Sequence, residues 1–152
     1  MGTFTFCKYD DETLEDIWEW CHKFQIPSPT GKSKMHTTVI WSKTDISEEY
    51  WLQRDKSHFR KMEFDVVGLE LFNHFSKRQQ VMQKCLVIKL DAPYLLHCHN
   101  HLIKKGGTNS HPSYTPHITV CYNFPVHLEI SKIDVPNFKF KPSKIFTENF
   151  VI

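Results

Sequence analysis

Glycine is scarce, at five in 152 residues, and no tract repeats, so a low-complexity or disordered chain is excluded. A strong charge of one sign is missing too. The formal net charge is only +2, from 19 basic and 17 acidic residues. That is too mild for the basic face that long nucleic acid demands, and it leaves room for a small anionic ligand. No apolar run approaches the roughly 20 residues that span a bilayer, so no membrane partner is expected. The first residues, Met1-Gly2-Thr3-Phe4-Thr5-Phe6, lack the basic start and apolar stretch of a signal peptide, and Phe6 stands where myristoylation needs Ser or Thr. Five cysteines include no CxxC pair, which reads as reduced thiols of a cytoplasmic protein. No carboxylate cluster would clearly hold a metal, and no cofactor is expected.

What is present suffices for a core. Hydrophobic residues make up 40% of the chain and aromatics 14%, enough for one compact domain or two small lobes sharing a core. Residues 3–9 alternate as a strand. Asp10 and Asp11 are candidate helix caps, and Leu14, Ile17, Trp18, Cys21 and Phe24 follow at helical spacing up to Pro27. Residues 28–34 form a loop, 35–42 a strand, and 63–75 one long strand or a pair. The series then repeats. Residues 84–90 read as a strand, Asp91 as a cap with Pro93 in the first turn, and Leu95, Leu96, His99, Leu102 and Ile103 as one helical stripe ending at Gly106. A loop over 108–116 leads to a strand over 117–123.

The two halves superpose at one offset of 81 residues: Lys8 on Lys89, Asp10 on Asp91, Leu14 on Leu95, His36 on His117, Thr38 on Thr119, Val39 on Val120 and Trp41 on Tyr122. Duplication predicts an α+β fold of two antiparallel lobes, roughly 1–80 and 81–152 within a single domain. Helices would lie outside, around a central groove.

On a strand, residues i and i+2 share a face. His36 with Thr38, and His117 with Thr119, therefore project together, while Thr37 and Ile118 turn away. Two imidazoles and two hydroxyls meeting in one groove suit in-line displacement at a phosphodiester. One neutral imidazole takes the nucleophile's proton and one imidazolium protonates the leaving oxygen, both forms existing near the ordinary histidine pKa of about 6.5. Threonine hydroxyls donate to the non-bridging oxygens as charge grows there. A single His-x-Thr on a strand is more often packing. The doubling at matched points after matched helices favours catalysis.

His36-Thr37-Thr38-Val39 and His117-Ile118-Thr119-Val120 resemble the paired motifs of the two-histidine (2H) phosphoesterase superfamily, over nearly the whole chain. Within it, the size and the strand at 3–9 are similar to the phage anti-CBASS cyclic-oligonucleotide phosphoesterases of T4-like phages. The resemblance implies hydrolysis of cyclic di- and trinucleotide signals such as cyclic GMP-AMP and cyclic tri-AMP. A ribose 2′-OH would attack its own 3′–5′ phosphate, giving a 2′,3′-cyclic phosphate and then a 3′-phosphate. It makes His36 and His117 the acid–base pair and Thr38 and Thr119 the phosphate ligands, without saying which histidine is the base.

Nucleobases need flat partners. Tyr9, ending the first strand, is read as a stacking residue. Trp51, in the charged segment 44–61, is read as part of a flap, and Glu148, in the alternating stretch 144–152, as an acceptor for a base edge. Each has a plain packing or surface alternative, as does Lys34, which could attract phosphate. His97 and His101 share a helix face at i, i+4 but lack a third metal ligand, and His99 reads as packed. Two rivals stay open: cleavage of 2′,3′-cyclic or 2′,5′-linked RNA ends, and a sponge that binds cyclic nucleotides without turnover. The oligomeric state is not fixed, and a weak homo-oligomer remains open.

Overall fold

A computed structural model describes residues 1–109, 111 and 113–151; Ser110 and Pro112 of the 108–116 loop and Ile152 of the C-terminal stretch lie outside the described residues. The elements run β1 (Gly2–Tyr9), α1 (Asp11–Lys23), β2 (Thr37–Ser42), β3 (Asp65–Ser76), β4 (Val81–Asp91), α2 (Pro93–Lys104), β5 (His117–Cys121) and β6 (Pro142–Phe150). Asp10 caps α1 by accepting from the Thr13 amide at 2.8 Å, with Asp11 and Glu12 in the first turn and His22 and Lys23 in the last, as the helix dipole favours. Asp91 is not the cap of α2. It stays in β4, paired with Asp65, and Ala92 caps the helix with Pro93 behind it. Gly106, just beyond the C-cap Lys105, takes φ +102°, open to glycine at little cost. No helix among the described residues is long and apolar enough to cross a membrane.

Two three-stranded antiparallel sheets result, ordered β2–β1–β6 and β5–β4–β3. This corrects the division at residue 80. The third strand of each sheet comes from the opposite half of the sequence, β6 joining β1 and β3 joining β4. The two crossing segments touch at Phe64 and Phe140, which exchange amide-to-carbonyl bonds of 2.8 and 3.0 Å and are buried together beneath Tyr9. One continuous core draws on both sheets and both helices.

The duplication extends to an irregularity. Between the Thr5–Ile40 and Phe6–Thr38 pairs, β2 carries one extra residue, Val39; between Leu86–Cys121 and Val87–Thr119, β5 carries Val120. A bulge of this kind re-aims the side chains beside it. It lies next to the threonine of each motif, at the 81-residue offset.

Candidate active site

Each bulge presents a carbonyl to the other lobe. Val39 accepts from the Nδ1–H of His99 at 2.7 Å and Val120 from the amide of Thr30 at 2.8 Å. His99 is the packed histidine expected from its stripe, buried and stacked on Tyr114 at 4.2 Å. The Tyr114 hydroxyl, in turn, donates to the Thr38 carbonyl at 2.8 Å. Three bonds thus tie each motif strand to the opposite half of the chain, β2 to α2 and the 108–116 loop and β5 to the 28–34 loop.

The motif side chains follow the strand parity. Thr37 and Ile118 are fully buried, while His36, Thr38, His117 and Thr119 are half-buried and line one small cavity of about 50 Å³ with Lys34 and Tyr122. His36 Nδ1 contacts the Lys34 carbonyl at 2.8 Å, and His117 Nδ1 contacts the Thr115 carbonyl at 2.8 Å. A carbonyl only accepts, so each Nδ1 carries a proton and each Nε2 is left for chemistry. His36 meets the edges of Phe4 and Phe6 at 5.8 and 5.9 Å, and His117 meets Phe72 at 4.9 Å.

Both imidazoles are held below the ordinary histidine pKa, first by burial. The Lys34 carbonyl partly offsets this for His36, and the Lys8 ammonium lowers it further. For His117 the Thr115 carbonyl and Glu70 pull upward, while His111 and His36 push down. A charge on His36 thus reaches His117, as expected of two imidazoles facing one cavity. Among the described residues no three His, Cys, Asp or Glu side chains gather to hold a metal, His97 and His101 included.

A sequence profile of the family described as anti-CBASS protein Acb1 matches residues 1–147. The chain belongs to the anti-CBASS protein Acb1 family. The Acb1 protein of Acinetobacter phage Ac42 is 30% identical over 122 residues, covering 80% of this chain and 73% of that protein. The Acb1 protein of Enterobacteria phage T4 is 26% identical over 122 residues, covering 80% and 72%. Among solved structures, E. coli LigT complexed with 3′-AMP superposes with a TM-score of 0.55 at 16% identity, over 96% of this chain and 86% of that one. The fold of this Acb1-family chain is therefore that of the LigT-like two-histidine phosphoesterases.

Two of the three outer residues expected at the Acb1-family site, Tyr9 and Trp51, lie elsewhere. Tyr9 is not a stacking residue. It lies on the core face of β1 with Thr3, Thr5 and Cys7, 3% exposed, and its hydroxyl pairs with Thr37 at 2.7 Å. Trp51 is not in a flap. Its indole N–H donates to the Ile46 carbonyl at 2.8 Å, Leu52 bonds Thr147, and Arg54 pairs with Ile145 along the outer edge of β6. That segment covers a sheet edge, where exposed backbone would otherwise invite pairing. Glu148 is exposed directly opposite Phe4, on the groove face.

The flat surface of the groove comes from residues outside the expected set. Phe4, Phe6 and Phe146 sit on that face, with ring centroids 4.9 Å apart for Phe4–Phe6 and 5.8 Å for Phe6–Phe146. The signal was available as alternation of Phe with Thr along β1. It is inverted from the usual pattern, because here the threonines face the core. Tyr122 also reaches the cavity, whereas its 81-residue counterpart Trp41 stacks on Phe150 at 4.5 Å.

Proposed function

We propose that this chain is a metal-independent phosphodiesterase that opens 3′–5′ bonds in cyclic di- and trinucleotides, and that this is how it counteracts CBASS defence. The observation that carries the reading is the pair of free Nε2 atoms, on imidazoles pinned alike by 2.8 Å Nδ1 bonds, over one cavity with two threonine hydroxyls. In the first step one Nε2 takes the proton of a ribose 2′-OH, whose oxygen bonds to the adjacent phosphorus. The P–O5′ bond breaks and the other imidazolium protonates the leaving O5′. The product is a 2′,3′-cyclic phosphate on an opened chain. In the second step the roles reverse: water adds at phosphorus, the P–O2′ bond breaks and a 3′-phosphate remains. Each positioned acid or base contributes about 10²- to 10⁴-fold in rate. Thr38 and Thr119 donate to the non-bridging oxygens, and Lys34 at the cavity wall offsets their charge.

The aromatic face supports a nucleotide ligand. Phe4, Phe6 and Phe146 offer stacking surface beside His36, and Glu148 opposite Phe4 is placed to accept from a base edge. The test is chromatography of cyclic GMP-AMP and cyclic tri-AMP after incubation with chelator present. The wild-type chain linearises them, and His36→Ala and His117→Ala do not. Intact ligand recovered from the denatured wild type would instead mark a sponge. Cleavage confined to linear RNA ends would mark the RNA-processing alternative.

A further inference from the structure

With one phosphate between the imidazoles, a cyclic ligand brings at least one more. Lys8 and Lys144 stand directly opposite each other in the β1–β6 ladder, on the groove face. Like charges so placed repel and cost stability. Lys8 gives one N–H to the Ser33 carbonyl at 2.7 Å, leaving two donors. Its ammonium lies 5.7 Å from the centre of the Phe6 ring, and that of Lys144 lies 5.7 Å from the centre of Phe146, so both heads lean toward the aromatic face beside His36. Among the described residues neither takes part in an ion pair. Burial and the Lys144 charge hold the Lys8 amine below its ordinary value.

The other lobe handles the equivalent lysine differently. Lys89, 81 residues after Lys8, faces Gly68 in its ladder and lies 3.4 Å from the Glu70 carboxylate. One lobe neutralises its lysine where the other doubles it. Duplication alone would make the two ends alike, so the two ends have diverged in charge.

The geometry points to a second anion subsite, formed by Lys8 and Lys144, that takes the neighbouring phosphate of a ligand whose first phosphate sits between His36 and His117. It rests on the phosphodiesterase reading and narrows the ligand to one carrying two phosphates about a single nucleoside, as every unit of a 3′–5′ cyclic oligonucleotide does. A lone 2′,3′-cyclic phosphate end would leave these lysines facing each other.

The test needs no turnover. Binding of 3′-AMP and of adenosine 3′,5′-bisphosphate, neither of which holds a diester, is measured by calorimetry at several salt concentrations. The wild-type chain should bind the bisphosphate about tenfold more tightly or better, as charged hydrogen bonds allow, and its affinity should fall more steeply with salt than that of 3′-AMP, because the added contact is between charges. Lys144→Gln and Lys8→Gln should each shrink the gap to about twofold, while Lys23→Gln, an equal charge loss on the exposed end of α1, leaves it intact. Equal wild-type affinities, or a gap that survives both substitutions, overturn the subsite. Failure to cleave cyclic dinucleotides with the gap preserved overturns the hydrolytic reading alone.

Discussion

His36 and Lys34 are joined by a 2.8 Å bond from the imidazole Nδ1–H to the backbone carbonyl, and the copy 81 residues on joins His117 to Thr115 at the same distance. Each ring is thereby fixed in tautomer and direction by the backbone two residues before it. Replacing either by alanine should lower kcat by at least about 10²-fold on cyclic GMP-AMP, and the double variant should be little worse than the single ones, because the two act as a unit. Independent, multiplying losses would contradict a shared step.

The optimum of kcat/KM should lie on the acid side of 6.5. Both free-enzyme values are lowered by burial, and a pair that needs one neutral and one protonated member is most active between its two values. Glu70→Gln removes a group that raises His117, so the limb His117 controls moves to lower pH. Lys8→Gln removes a charge that lowers His36, so its limb moves to higher pH. The acid limb belongs to the base and the alkaline limb to the acid, so whichever limb moves assigns the roles. A bell centred above 7 would refute the placement.

Thr38→Val and Thr119→Val keep the branched shape on each strand and delete only the hydroxyl. Each should cost about 10²-fold in kcat with a smaller change in KM, the pattern of a donor that works mainly on developing charge. Steady-state rates on cyclic tri-AMP supply the comparison.

Phe6→Ala should weaken substrate binding by about 1–3 kcal/mol, a 5- to 150-fold rise in KM, if a base stacks there. Tyr9→Phe should do the reverse of what its position in the sequence suggested. It strands the buried Thr37 hydroxyl and lowers stability by about 1–3 kcal/mol in thermal denaturation, with KM unchanged.

Tyr114→Phe removes the hydroxyl that reaches from one lobe to the Thr38 carbonyl of the other. Stability should fall by about 1 kcal/mol. A small displacement of a reacting group costs far more in rate than in binding, so kcat should drop more than KM rises. An unchanged kcat would mean that the motifs keep their register without this bond.

The repeat, the helices and the two motifs were legible because each is a local pattern of spacing. The exchange of β3 and β6 was not. A strand's sequence states its period and its face but not its neighbour, and β6 finds β1 across more than a hundred intervening residues. The faces of β1 misled for a related reason. Thr3 and Thr5 are fully buried through hydroxyl bonds to Ile46 and Thr147, which frees Phe4 and Phe6 for the groove. Tyr9 shares parity with those threonines, so the same inversion carried it into the core. Lys34 was legible only as a basic residue just before the first motif, equally suited to a solvated loop. Only the turn of its backbone, which lends His36 a carbonyl, brings it to the cavity.

The late arrival of β6 has a consequence for synthesis. β1 leaves the ribosome early but lacks its outer neighbour until residues 142–150 emerge, Thr5 waiting for Thr147. At roughly 5–20 residues per second that is a delay of many seconds. Throughout it, one edge of β1 stands open to any passing strand, and a nascent chain halted anywhere before β6 has no finished cleft to work with.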